Sequence, residues 1–205
     1  SKLTLTDAST ELPALGLMGT EAPAALARLG LAAPTSDYGT AQHDDVWLLR
    51  RPGPLPRFEL RAAPERLATL QQVLGLPAAD ANDWALAELL AGIPQVRAET
   101  SDQFVPQTIN LDTAGGVSFT KGCYPGQEIV ARVHYLGRVK QRLRLAQGAQ
   151  VLAPGTGLLD AAGASVAKVM AAARHPQLGA VLSLSLDLSH ADDASLRTAD
   201  DLLQV

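Results

Sequence analysis

Short strands alternate with helices as far as Gly137, and beyond it the chain reads as strands and turns alone. Before that divide, Lys2–Thr6, Ala14–Met18, Asp45–Arg50 and Arg57–Arg61 have strand character, the last two separated by a Pro52-Gly53-Pro54 turn. Thr20 is placed to cap a helix over Glu21–Leu29, with Pro23 tolerated in its first turn. Pro64–Leu74 sets Leu67, Leu70 and Leu74 at helical spacing and ends at Gly75. Asn82 or Asp83 caps a third helix, Trp84–Ala91, which stops at Gly92 ahead of Pro94. Residues Ala98–Gly116 form a loop-rich connector, and a fourth helix runs from about Pro125 to Tyr135 with Gly137 as its C-cap. Strands joined by short hairpin-like connections among helices point to an α+β domain, not a doubly wound parallel sheet. After the divide, Val139–Leu145, Ala164–Ala173, Ala180–Leu188 and Ser195–Thr198 lie between Gly, Pro and Asp turns, the pattern of a small antiparallel β-barrel. The expected organisation is therefore an α+β domain over residues 1–137 and a C-terminal β-barrel over 138–205.

Composition narrows the function classes. The 205 residues are 47% hydrophobic but only 4% aromatic, so the core is built from Leu, Val and Ala. A net charge of −4 argues against a dedicated nucleic-acid binder, and the few aromatics argue against stacking on bases. Charge is unevenly spread: Lys121–Arg144 holds six Lys/Arg against the single acid Glu128, while Asp187–Asp201 holds five Asp against one Arg. The basic stretch could meet an anion, such as a glutamyl tail or RNA phosphate, but the favoured reading is the wet face of a barrel strand. One cysteine excludes an internal disulfide and suits a reducing cytosol, so the expected setting is cytoplasmic. No apolar run reaches the roughly 18 residues of a membrane span.

That cysteine sits in Lys121-Gly122-Cys123-Tyr124-Pro125-Gly126-Gln127-Glu128, followed at once by Ile129-Val130-Ala131-Arg132. Its neighbours are glycines, a tyrosine and a lysine, where a cysteine that only fills a core is more often flanked by aliphatic side chains. A helix beginning just after it would aim free N–H groups and a positive dipole end at the sulfur; with Lys121 nearby, such a setting favours thiolate. The roles open to Cys123 are nucleophile, redox-sensitive thiol, or one ligand of a centre shared with another protein. It cannot hold a cluster alone, and His43, His134, His175 and His190 are scattered without ligand spacing. Gly122 and Gly126 either clear space beside the thiol or simply build the turn into the helix. Glu128 and Arg132, at i and i+4, are spaced for a helix ion pair. Asn110-Leu111-Asp112 reads equally as polar ligand-binding groups or as an Asx-type turn. No P-loop, Gly-x-Ser-x-Gly elbow or His-Glu-x-x-His stretch occurs.

The octapeptide resembles the signature of the YgfZ/GcvT-like folate-binding proteins, relatives of the glycine-cleavage T-protein, which carry Lys-Gly-Cys-Tyr-x-Gly-Gln-Glu. The lead-in Phe104-Val105-Pro106-Gln107, Asn110-Leu111-Asp112 and Gly115-Gly116-Val117-Ser118-Phe119 agrees, as does the exit through Tyr135-Leu136-Gly137-Arg138. The resemblance is clearest from about Thr100 to Arg144. It implies a T-protein-like fold, mixed sheet-and-helix domains around a folate cavity followed by a barrel. It also implies tetrahydrofolate as cofactor and a role in supporting iron–sulfur enzymes, cluster-dependent tRNA-modifying enzymes among them.

On this resemblance Cys123 is the working residue with Lys121 beside it, and the folate-binding candidates are Gln107, Asn110, Asp112, Tyr124, Gln127, Glu128 and Arg132. A carboxylate such as Glu128 matches the adjacent N–H donors of a pterin ring. The expected partners are folate and either iron–sulfur assembly proteins or their client enzymes, with neither membrane nor direct nucleic-acid binding. The alternative is a tetrahydrofolate-dependent aminomethyl- or one-carbon transferase like the T-protein, which lacks the cysteine signature. Family members are usually longer and begin with a further mixed block, so the chain, opening at Ser1 on strand-like residues, is expected to lack its N-terminal portion.

Overall fold

The computed structural model describes residues 2–192 and 195–199. The chain divides into two compact units, 1–87 and 88–205. By sequence texture the divide falls near Gly137; by packing, the connector and the helix after Cys123 go with the second sheet. The hydrogen bonds described below account for the difference, since connector side chains bond directly to the backbone of that sheet.

The first unit is a four-stranded antiparallel sheet in the order β1-β4-β3-β2, formed by β1 (Ala14–Met18), β2 (Thr40–His43), β3 (Val46–Arg51) and β4 (Arg57–Arg61). Helices α1 (Ala22–Arg28) and α2 (Pro64–Leu74) contribute Leu26, Leu67 and Leu70 to one core with Leu17, Val46, Leu48, Phe58 and Leu60. Phe58 is its only aromatic side chain, as the composition requires. Glu21, not Thr20, is the N-cap residue of α1. Helix α3 (Ala81–Leu90) starts earlier than Asn82 or Asp83 would set it, because Asp80 accepts the Asn82 N–H at 2.9 Å. Arg57 is fully buried: its guanidinium donates to the Pro52 carbonyl at 2.5 Å and lies over the Trp84 ring at 5.2 Å. Trp84 in turn rests on β1, where a Cβ on Gly16 would come within 2.8 Å of the ring.

One strand expectation fails here, and one strand was not foreseen. Lys2–Thr6 forms no strand, and Leu3 and Leu5 are 81% and 89% exposed. Alternation alone does not make a strand without a ladder to join. Conversely β2, a polar stretch of four residues, exists because it pairs with β3 from Thr40↔Leu49 to His43↔Val46.

The second unit holds β5 (Gln141–Gly148), β6 (Gly157–Leu159), β7 (Ser165–His175) and β8 (Gly179–Asp187) in the antiparallel order β5-β8-β7-β6. Among the described residues this is an open sheet, not a closed barrel. Ser195–Thr198, expected as a further strand, gives only an isolated bridge between Arg197 and Leu159. Of the acidic run, Asp193, Asp200 and Asp201 lie outside the described residues.

β8 is buried from Ala180 to Leu186 because both faces of the sheet are covered. One face gathers Leu158, Ala167, Val169, Leu182, Leu184 and Leu186. On the other, Leu143 and Met170 pack with Ile109 of the connector. A bulge between Val169 and Ala171 inserts Met170 into that second cluster. The connector itself contains two 3-10 turns, Ala98–Thr100 and Pro106–Ile109. No helix among the described residues is long and apolar enough to cross a membrane.

Candidate functional site

The cysteine segment is a loop held against a nine-residue helix, α4 (Gln127–Tyr135). The helix begins two residues later than Pro125 predicts, because Gly126 takes a left-handed φ of 84° as its N-cap. The turn is closed by a reciprocal pair. The Tyr124 N–H donates to Gln127 Oε1 at 3.1 Å, and the Gln127 N–H donates to the Tyr124 carbonyl at 3.3 Å. Further back the Lys121 N–H donates to Ser118 Oγ at 3.2 Å. Phe119 stacks on His134 of α4 with ring centroids 3.6 Å apart, and His134 meets Tyr135 edge-on. The loop is thus tied at both ends, and neither aromatic contact is legible from spacing.

Within this frame Cys123 is a free, exposed thiol. Lys121 lies with its Nζ 4.5 Å from the centre of the Tyr124 ring, a cation–π contact that directs the ammonium to the tyrosine. Gly122 faces open space, since a Cβ there would meet nothing within 4 Å. Space and backbone therefore require glycine at 126, not at 122. C-capping falls to Leu136, whose N–H donates to the Arg132 carbonyl at 3.0 Å, and not to Gly137.

The connector residues form a second constellation. Gln107 is buried, and its Nε2 donates to the Val130 carbonyl of α4 at 2.7 Å. Asn110, with a left-handed φ of 61°, donates from Nδ2 to the Leu143 carbonyl at 3.0 Å and accepts the Leu143 N–H on Oδ1 at 3.2 Å. Arg142 donates to Asp112 Oδ1 at 2.6 Å and to the Gln107 carbonyl at 3.0 Å. Since β5 is an edge of its sheet, the Asn110 amide occupies the place of a neighbouring strand at Leu143. These polar groups are engaged in holding the connector and α4 to the sheet.

The fold thus brings Gln107, Asn110 and Asp112 together around Arg142, and Lys121, Cys123, Tyr124 and Gln127 together in the loop. Glu128 and Arg132 stay exposed, and their side chains carry no hydrogen bond or ion pair among the described residues. Of the two readings of the basic stretch, Arg142 fits neither: it is half-buried on Asp112, while Arg138, Lys140 and Arg144 are exposed. Arg142, one of six cations in the stretch, is the residue that sequence reasoning did not single out, and nothing in its spacing sets it apart from Arg138, Lys140 and Arg144. No cluster of three or more His, Cys, Asp or Glu side chains suited to a metal ion occurs among the described residues. In the first unit a groove of about 880 Å³ runs along β1, lined by Leu15, Leu17, Leu74, Trp84, Arg28 and Glu59 among others; it contains none of the candidate catalytic or folate-binding residues.

No family model matches the chain. Curated proteins do. The chain is 37% identical over 159 residues to the tRNA-modifying protein YgfZ of Sodalis glossinidius, a match covering 77% of this chain and 48% of that protein. It is 37% identical over 145 residues to the tRNA-modifying protein YgfZ of Yersinia enterocolitica, covering 70% and 44%. The chain spans about half the length of these curated relatives. In fold it is similar to the glycine cleavage system aminomethyltransferase T from Bartonella henselae, with a TM-score of 0.67 at 16% identity over 90% of this chain and 54% of that one. By the sequence of its cysteine segment, by these relatives and by its fold, the chain is YgfZ/GcvT-like.

Proposed function

We propose that the chain serves a tetrahydrofolate-binding accessory protein that supports assembly or repair of iron–sulfur enzymes, tRNA-modifying enzymes among them, through Cys123. The observation that carries this reading is the free, exposed thiol in a loop fixed at both ends, in a chain 37% identical to proteins named for tRNA modification. A thiol so placed can approach a protein client without unfolding, and its partners on this reading are iron–sulfur assembly factors or client enzymes in the cytoplasm.

The donor set fits folate only in part. Gln107, Asn110, Asp112 and Gln127 spend hydrogen-bonding groups on this chain's own backbone or on Arg142. Gln107 Oε1 has no hydrogen-bond partner but is shut off from solvent. The groups left to meet a pterin or a glutamyl tail are the exposed Glu128 carboxylate and Arg132 guanidinium, with the half-buried Tyr124 beside them. A folate site drawing on this chain would therefore be completed by other groups, and no chemical step is assigned to it here.

The test is a complementation assay. Cys123→Ala should fold normally, since an exposed side chain contributes little burial. It should fail to restore iron–sulfur enzyme activity in cells lacking the protein. Tetrahydrofolate should raise the melting temperature of the wild-type and Cys123→Ala proteins alike, by binding only the folded state. Full complementation by Cys123→Ala, together with formation of methylenetetrahydrofolate from an aminomethyl donor, would establish the transferase reading instead.

A further inference from the structure

Helix α4 presents apolar side chains on two different sides. Val130 is buried and its carbonyl receives Gln107, so that side is packed within the unit. At about 100° per residue, Ile129, Arg132 and the C-cap Leu136 fall within about 60° of one another on the side away from Val130. On that side Ile129 is 61% exposed and the C-cap Leu136 is 86% exposed, while Tyr135, off to one side, meets His134 edge-on. Lone exposed apolar residues are ordinary, but Ile129 and Leu136, two turns apart on one side, form an apolar strip with no described partner. Arg132 lies on this side, and Arg138 and Lys140 follow Leu136 closely in the chain, all three exposed; Glu128 is the one exposed acid near them. The segment Lys121–Arg144 carries six cations against one acid in a chain whose net charge is −4. Aliphatic anchors flanked by cations are complementary to an amphipathic helix of another protein with apolar anchors flanked by carboxylates. Nucleic acid matches the charge but not the aliphatic anchors, because single-stranded bases prefer aromatic platforms.

We infer that the exposed side of α4 is a docking surface for an acidic amphipathic helix of a partner protein, seated on Ile129 and Leu136 and flanked by Arg132, Arg138 and Lys140. This deepens the accessory reading by giving the partner a chemistry, and it rests on that reading only for the partner's role. Binding is therefore measured without folate and with Cys123→Ser, so its failure leaves the folate and thiol tests standing, and theirs leaves it standing.

The probe is a fluorescein-labelled 18-residue helical peptide with Leu at i, i+3, i+4 and i+7 and Glu on the flanks, titrated by anisotropy against the 205-residue chain. The same peptide with Lys in place of Glu and an RNA hairpin serve as comparisons. The acidic peptide should bind, weaken as salt rises, and lose about tenfold or more in affinity on Leu136→Glu or on Arg132→Glu with Arg138→Glu. Leu136 is so exposed that its substitution should leave the melting curve unchanged; exchange-protected amides would verify the fold of each variant. Equal binding of the acidic and basic peptides would overturn the inference. So would RNA binding that survives Leu136→Glu while the acidic peptide does not bind. Concentration-dependent dimerisation abolished by Leu136→Glu would assign the face to a second copy.

Discussion

Asn110 lets the edge-capping argument be tested to the level of single hydrogen bonds. Its side chain makes two, at 3.0 and 3.2 Å, to the carbonyl and N–H of Leu143. Its backbone sits at φ 61°, where residues with a Cβ are strained unless the side chain is Asn or Asp. Asn110→Gly removes the amide but not the backbone freedom. It should cost about 2 kcal/mol, roughly one for each lost bond in a half-buried setting. Asn110→Ala loses the same bonds and adds about 1 kcal/mol of left-handed strain, for a total of ~3 kcal/mol. With a urea slope of about 2 kcal/mol per molar, those losses are midpoint shifts of about 1 and 1.5 M. The assay must watch the second unit. Both tryptophans, Trp47 and Trp84, lie in the first, so their emission reports the wrong half. Far-UV dichroism with hydrogen exchange at the Leu143 amide reports the right one, and that amide should lose protection in both variants. Asn110→Asp supplies a control of sign. Its ionised second oxygen faces the Leu143 carbonyl, so the folded state raises the new carboxyl's pKa and stability should recover as pH falls and the group protonates. If glycine and alanine variants both lose less than about 0.5 kcal/mol, within the usual range for surface changes, the edge-capping argument is wrong.

Arg142→Ala should cost about 2–3 kcal/mol in the second unit, because it strands the Asp112 carboxylate, 13% exposed, and one hydrogen bond at the Gln107 carbonyl; Arg142→Lys should recover part of that in the same urea titration, and an Ala variant as stable as wild type would refute the pairing. Gly16→Ala sets a methyl group 2.8 Å from the Trp84 ring and should destabilise the first unit by about 1–3 kcal/mol while shifting tryptophan emission. Cys123 should be alkylated by iodoacetamide in the folded protein about as fast as in urea, since it is already exposed; a native rate far below the unfolded one would contradict that exposure.

Much of the element pattern was legible where local chemistry and tertiary need coincide. Ala14–Met18, Arg57–Arg61 and Pro64–Leu74 have the bounds that alternation, the proline turn and the Gly75 stop predict. The failures share a cause. β2 and β6 are short and weakly patterned, and each exists through the strand it pairs with, β3 and β7 respectively. Lys2–Thr6 has the stronger local pattern but no partner. Strand formation is a pair property, and a single segment carries only half of it. The barrel expectation went the same way: the strands β5, β7 and β8 form where the turns predict, but sheet closure depends on which edges meet, and the turns do not encode that.

The polar residues of the candidate site pose the same difficulty in sharper form. A carboxamide suited to a ligand and one suited to capping a sheet edge have identical donors and acceptors, so Asn110 reads the same way in both roles until Leu143, far along the chain, is placed beside it. Asp112 and Gln107 resolve likewise once Arg142 reaches both. What distinguishes a group available for function is not its type but whether the fold has already used it. By that criterion the connector is engaged in architecture, while the thiol of Cys123 and the side chains of Glu128, Ile129, Arg132 and Leu136 remain open to solvent. These open groups all lie between the cysteine and the C-cap of α4, and the loop that carries the cysteine is fixed by Phe119 on His134 and by Gln127 on Tyr124. A surface held rigid from below with its own side chains unspent loses little entropy when a partner settles on it. That is the physical reason to look for this protein's activity in what α4 and Cys123 contact, and not in the polar connector.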